Sequence, residues 1–191
     1  EVITVANSWI STGETITQAG ASPVFVDIDP NYYTIDVSKV EEKINSKTKA
    51  IIPVHLFGQP AEIDVILDIC ERHNLFLIED CAQSHFATWK AKEVGTFGIA
   101  GTFSFFPGKN LGAYGDAGCI VSNDVEFANK ARMFANHGTL TKKHQHEIEG
   151  INSRLDGIQA AILSVKLKYI LNWNNMRIYN ATKYTQFLKG I

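Results

Sequence analysis

The sequence predicts an α/β fold with a mostly parallel sheet and helices on both faces, an α/β/α sandwich. Two observations carry that prediction. Short apolar runs alternate with helical patterns, as βαβ units require. One run, residues 75–78, is continuously apolar, as expected of a strand covered by helices on both sides. With 191 residues, 45% of them apolar, the chain can bury one sizeable core, or a large domain plus an appendage. Eighteen basic and 20 acidic side chains leave a formal net charge of −2, which excludes a basic footprint for nucleic acid and argues against disorder. The longest apolar stretch, residues 50–58, is interrupted by Pro53 and His55, so no segment is expected to span a membrane. Cys70, Cys81 and Cys119 lie far apart with no CxxC pair, a pattern of reduced thiols that places the protein in the cytoplasm. The sequence opens without an initiator Met or a signal-type leader, directly on a strand, and is expected to be an interior piece of something longer or a chain whose ends are missing.

The elements follow in order. Residues 2–5 form a first strand, and residues 11–19 a helix. Residues 23–27 form a second strand, closed by the Asp29-Pro30-Asn31 turn. Asp36 is the N-cap of a helix reaching about Ile44. Residues 50–54 form a third strand, with Pro53 near its end, where a missing donor is tolerated. Within residues 61–73, Ile63, Ile66, Leu67 and Cys70 make one apolar stripe of an amphipathic helix. Residues 75–78, 102–105 and 119–122 are further strands, and residues 124–135 a helix. After a polar loop at 138–150, residues 155–171 and 173–188 read as one long helix, bent near Asn172. Its apolar spacing (Leu155, Ile158, Ile162, Val165, Leu167) suits packing along a domain or subunit surface.

Ligands of open α/β sheets bind at the carboxyl ends of the strands, so segments 7–12, 27–30, 55–60, 79–85 and 105–116 are expected to carry the site. Glu79 and Asp80 follow an apolar strand, where burial raises a carboxyl group unless a cation or donor holds it ionised. Taken alone, either acid fits a functional role or a strand-end cap. Lys109 sits among Phe103, Phe105, Phe106, Pro107 and Leu111. Desolvation there would make its amine nucleophilic, while the ordinary alternative is a lysine snorkelling to water. A Walker A loop is excluded, because six residues separate Gly101 from Gly108 and Asn110 follows the lysine. Gly112, Gly115 and Gly118 do not form a dinucleotide fingerprint. Seven of the 14 glycines nevertheless fall between Gly95 and Gly118, which predicts tight turns and close backbone approach. His137, His144 and His146, with Glu147 and Glu149, match no metal-site spacing and read as a solvated loop; His55, His73 and His85 show none either, so no metal is expected.

Six blocks occur in order: Val24-Phe-Val-Asp-Ile-Asp29, Ile52-Pro-Val-His-Leu-Phe-Gly-Gln-Pro60, Ile78-Glu-Asp-Cys-Ala-Gln-Ser-His85, Ser104-Phe-Phe-Pro-Gly-Lys-Asn-Leu-Gly112, Tyr114-Gly-Asp-Ala-Gly118 and Asn152-Ser-Arg-Leu-Asp-Gly-Ile-Gln-Ala160. Together they resemble the DegT/StrS-type, pyridoxal-phosphate-dependent sugar aminotransferases across nearly the whole chain. The resemblance implies a fold-type-I aminotransferase large domain over residues 1–171, lacking its N-terminal segment. Residues 172–191 would be a helix leading toward a small C-terminal domain outside the sequence.

The resemblance also assigns roles. Lys109 would form the covalent Schiff-base link to pyridoxal phosphate, and Asp80 would pair with the protonated pyridine nitrogen. Gln83 would lie beside the ring oxygen and Ser104 would donate to the phosphate. Trp9 would stack on the ring, with plain core packing as its alternative. Asn152 would reach the phosphate of a neighbouring subunit, making a homodimer with shared active sites. His85 would lie near the cofactor without an assigned role. The implied reaction moves an amino group from an amino acid, glutamate, to a nucleotide-linked keto-sugar, in amino-sugar biosynthesis for cell-surface polysaccharide (lipopolysaccharide, O-antigen) or a glycosylated metabolite. Sugar contacts would come from residues 9–12 and 138–149, where Lys142, Lys143, His144 and His146 either meet a diphosphate or are simply solvated. A pyridoxamine-phosphate-dependent sugar dehydratase is one rival, disfavoured because such relatives carry His in place of Lys109. A non-catalytic regulatory or structural descendant is the other, and intact Asp80, Gln83, Ser104 and Lys109 argue against it.

Overall fold

The computed structural model describes residues 1–141 and 144–190, so Lys142 and Lys143 lie outside the described residues. The first half of the chain forms β1 (Val2–Val5), α1 (Ile10–Gln18), β2 (Pro23–Val26), β3 (Ala50–Ile52), α2 (Ile63–His73) and β4 (Phe76–Asp80). The remainder forms β5 (Thr88–Trp89), β6 (Lys92–Glu93), β7 (Ala100–Ser104), β8 (Gly118–Val121), α3 (Val125–Phe134), α4 (Gly157–Leu167) and α5 (Ile170–Phe187).

Six strands join in the order β2-β1-β3-β4-β7-β8, and the β1–β2, β1–β3, β3–β4 and β4–β7 pairs are parallel. The step from β1 through α1 to β2 runs one way along the sheet, and the step from β3 through α2 to β4 runs the other. Right-handed crossovers in opposite directions put α1 and α2 on opposite faces, which is the predicted sandwich. The reversal falls between β1 and β3, so the carboxyl ends of β1, β3 and β4 frame the crevice where such sheets bind ligands.

The chain divides into two compact units: Glu1–Ser104 with Cys119–Arg154, and Phe105–Gly118 with Leu155 and the residues after it. The first unit is built on Ile3, Val5, Val26, Ile51, Val54, Ile66, Ile69 and Leu77, all buried between sheet and helices. α2 buries Ile63, Ile66, Ile69 and Cys70, and Asn74 stops it in the left-handed conformation (φ 52°) with Leu75 N–H bonding back to Cys70 O at 2.9 Å. The second unit packs Leu111, Ala113, Leu163 and Ile170 with Phe105, Ala117 and Trp173. There Lys166 donates to Gly112 O at 2.6 Å and lies over the Tyr114 ring.

Three local expectations need correction. Residues 36–44 form two single 3₁₀ turns, Val37–Lys39 and Glu41–Lys43, rather than one helix. Asp36 does cap, accepting from Ser38 N–H at 3.1 Å and Ser38 O–H at 2.6 Å. The segment returns to extended backbone at Ile44, too soon to repay the nucleation of an α-helix. The long C-terminal helix is two helices, interrupted at Lys168 and Tyr169 rather than bent at Asn172; Tyr169 stacks on Trp173 (5.9 Å) and Ile170 is buried. Within the chain, the expected apolar stripe leaves Leu155, Ile158, Val165 and Leu167 exposed and Ile162 half-buried, with Leu163 beside it buried. In β4, Phe76 is exposed, so only the strand beyond it is covered.

The β5–β6 hairpin had no glycine or asparagine to announce it. Lys90 and Ala91 both adopt positive φ, and an ion pair from Lys90 to Asp64 anchors the turn.

The glycine cluster has a steric cause near β7. A Cβ at Gly101 would overlap the backbone of Gly95, and one at Gly98 would overlap the carbonyl of Leu77. Gly101→Ala is expected to destabilise the fold by about 3 kcal/mol, at the upper end for overpacking, seen as a lower urea midpoint with unchanged slope.

Candidate active site

The two acids at the exit of β4 do different work. Glu79 is fully buried and accepts four hydrogen bonds: His55 Nε2 at 3.2 Å, Gly95 N–H at 2.7 Å, Phe97 N–H at 2.8 Å and Gly98 N–H at 3.0 Å. His55 Nδ1 accepts from Ala61 N–H at 3.1 Å, so this imidazole is neutral and its Nε2–H donates to Glu79. Burial pushes the Glu79 carboxyl up, but the His55 bond and the three backbone amides outweigh it, and the net effect holds Glu79 below the ordinary glutamate range. Glu79 therefore staples the 95–98 loop and the residues after β3 onto β4.

This staple brings His55, Glu79 and Cys81 together, a cluster the sequence spacing did not reveal. Both His55 nitrogens and both Glu79 oxygens are engaged, and burial, then the Glu79 charge, pushes the Cys81 thiol up. The His137, His144 and His146 loop does not assemble a comparable group among the described residues; His146 Nδ1–H donates to His137 O at 2.6 Å.

Asp80 is half-buried at the end of β4. Its Oδ1 accepts from Ala82 N–H at 3.1 Å, and its Oδ2 accepts from the Thr12 hydroxyl in the first turn of α1 at 2.8 Å. Its backbone continues the sheet past the early end of β3, with Asp80 N–H on Pro53 O and His55 N–H on Asp80 O, each at 3.0 Å. Pro53 sits just beyond β3, where its missing N–H costs no ladder bond.

Gln83 uses its Oε1 to accept Phe57 N–H at 2.9 Å, which fixes the amide so that its NH₂ is the donor end left to face a ligand. Phe57 holds φ 56°, a strained value for a non-glycine residue, and its ring is exposed. Thr12 and Phe57 fall in segments expected to carry the site, but their contacts with Asp80 and Gln83 were not foreseen from the sequence. A threonine in a helix and a phenylalanine after a strand carry no local signal of what they touch.

His85 is buried, donates Nε2–H to the Ser104 carbonyl at 2.9 Å and packs its ring against Phe103. Ser104 is the last residue of β7. Trp9 occupies the N-cap position of α1 and is 76% exposed, so its indole is no part of the core. Asn152 is exposed, bridges to Asn136 and accepts from Arg154 Nε at 3.0 Å.

Lys109 belongs to the second unit. It closes a turn through Lys109 N–H to Phe106 O at 2.9 Å, and it is half-buried. Of its apolar sequence neighbours in that unit, Leu111 is buried but Phe106 is exposed, so the apolar surroundings are thinner than the sequence implies.

The family model described as the DegT/DnrJ/EryC1/StrS aminotransferase family matches residues 1–191. The chain belongs to that family. It is 51% identical over 189 residues to a pleiotropic regulatory protein of Geobacillus stearothermophilus, covering 99% of this chain and 50% of that protein. It is 48% identical over 190 residues to the dTDP-3-amino-3,6-dideoxy-alpha-D-galactopyranose transaminase of Aneurinibacillus thermoaerophilus, covering 100% of this chain and 52% of that protein. Among solved structures, S. venezuelae DesV in complex with a ketimine intermediate superposes with TM-score 0.96 at 39% identity, over 99% of this chain and 51% of that one. The chain spans about half the length of the curated relatives it matches. Among the described residues, no helix is long and apolar enough to cross a membrane.

The donor set of this DegT/DnrJ/EryC1/StrS chain fits a phosphorylated pyridine. A carboxylate suits a protonated ring nitrogen, an amide NH₂ suits a ring oxygen, and an exposed indole face suits the ring itself.

Proposed function

We propose that this protein is a pyridoxal-phosphate-dependent aminotransferase that moves an amino group from L-glutamate to a nucleotide-linked keto-sugar. The observation that carries the reading is Asp80, an acid pinned at both oxygens at the exit of β4, one strand beyond the sheet's switch point. Relatives named as dTDP- and UDP-sugar transaminases, 39% to 48% identical over the chain, support the substrate class.

When bound, the cofactor supplies a conjugated electron sink. The Asp80 carboxylate would hold the proton on the pyridine nitrogen, and the Gln83 NH₂ would donate to the ring oxygen. The Ser104 hydroxyl would bind the phosphate and the Trp9 indole would cover one face of the ring. Lys109 Nζ would hold the cofactor covalently and, as a free amine, would be the base that takes a proton from the amino donor's Cα. A positioned base of this kind contributes about 10²–10⁴-fold. Asn152 reaches the phosphate of a second copy, so the working form is a homodimer in the cytoplasm, feeding a cell-surface polysaccharide or a glycosylated metabolite.

A regulatory role is the second reading, favoured by the 51% identity to a protein named as a pleiotropic regulator. A visible spectrum of the purified protein with added pyridoxal phosphate, before and after glutamate, separates the two. A band of lysine-bound cofactor that bleaches with glutamate, followed by return of the band with a nucleotide-linked keto-sugar, supports transamination. No band, or one that glutamate leaves untouched, refutes it.

A further inference from the structure

We propose that Thr12 is a positioning residue for Asp80, and that Ser8 completes a polarised hydroxyl chain directed at that carboxylate. The inference rests on the cofactor reading above. Thr12 is buried, and its hydroxyl donates to Asp80 Oδ2 at 2.8 Å. The Thr12 hydroxyl oxygen itself lies 2.7 Å from the Ser8 hydroxyl. A hydroxyl has one hydrogen to give, and that of Thr12 is committed to the carboxylate. Ser8 must therefore donate to Thr12, and the chain runs Ser8 to Thr12 to Asp80, each bond polarising the next.

The bond reaches across the sheet. Thr12 lies in α1, which follows β1, whereas Asp80 ends β4, and β3 stands between those two strands. Thr12 N–H also donates to Trp9 O at 3.1 Å, closing the first turn of α1. One turn of helix thus ties the exposed indole of Trp9 to the orientation of Asp80. These are the two groups that would meet the face and the nitrogen of the same ring. Ala82 N–H pins the other oxygen, so with Thr12 in place neither carboxylate oxygen can rotate away without losing a bond.

The test uses pyridoxal phosphate binding, followed by absorbance, with thermal unfolding of the cofactor-free protein as a control. A hydrogen bond to a charged group is worth enough to move binding by an order of magnitude. Thr12→Val, close in shape but without the hydroxyl, is expected to bind the cofactor about tenfold more weakly than the unmodified protein. Thr12→Ser, which restores the hydroxyl and drops the methyl, is expected to stay within about twofold. Ser8→Ala should weaken binding in the same direction by less. Wild-type affinity in Thr12→Val overturns the proposal, and so does equal weakening in Thr12→Val and Thr12→Ser, which would make Thr12 a packing residue. Failure of the unmodified protein to bind the cofactor at all would instead sink the underlying reading, and the positioning role with it.

Discussion

Lys109→Ala is expected to abolish both the visible band of lysine-bound cofactor and turnover, while leaving the fold intact. Loss of the proton-moving amine alone removes about 10²–10⁴-fold, and loss of covalent capture removes more. The variant should still bind pyridoxal phosphate through Asp80, Gln83 and Ser104, with an ordinary aldehyde spectrum. Lys109 is half-buried in a turn rather than packed in a core, so its thermal midpoint should move little. Full activity in this variant would refute the role assigned to the lysine.

Glu79→Gln is expected to be the most damaging single change to stability. The glutamine keeps one acceptor oxygen but brings an NH₂ toward a shell made entirely of donors: His55 Nε2–H and the amides of Gly95, Phe97 and Gly98. Breaking such a buried arrangement costs about 3 kcal/mol or more, roughly 6–12 °C in thermal midpoint for a chain of this size. The pH dependence has a definite sign. The folded state holds the Glu79 carboxyl below its ordinary value, so its contribution is complete above about pH 4.3 and is lost as pH falls through the lower folded value. Urea titrations at neutral and acid pH should show the gap between the parent protein and Glu79→Gln narrowing on acidification. A gap that widens there would contradict the ionised assignment of Glu79.

The parallel sheet was legible because it depends on continuous apolar runs and on helical stripes that hold along each element. α2 shows this best: Ile63, Ile66 and Cys70 are buried at the spacing that predicts it. Where cohesion depends on a single distant contact, the sequence is silent. Residues 36–44 carry an N-cap but end in 3₁₀ turns, and the β5–β6 hairpin turns on Lys90 and Ala91, both at positive φ, with Lys90 paired to the distant Asp64. The exposed stripe of α4 shows the converse limit, since periodicity names an apolar face without naming what covers it.

By itself the sequence determined the layer architecture and six ordered blocks that mark the family. Only the tertiary structure decided how neighbouring acids divide their work. Glu79 is turned inward and saturated by amides from a loop 16–19 residues away, while Asp80 is held at the crevice by a hydroxyl 68 residues away. The physical reason is that a strand sends alternate side chains to opposite faces, and what waits on each face is supplied by remote parts of the chain.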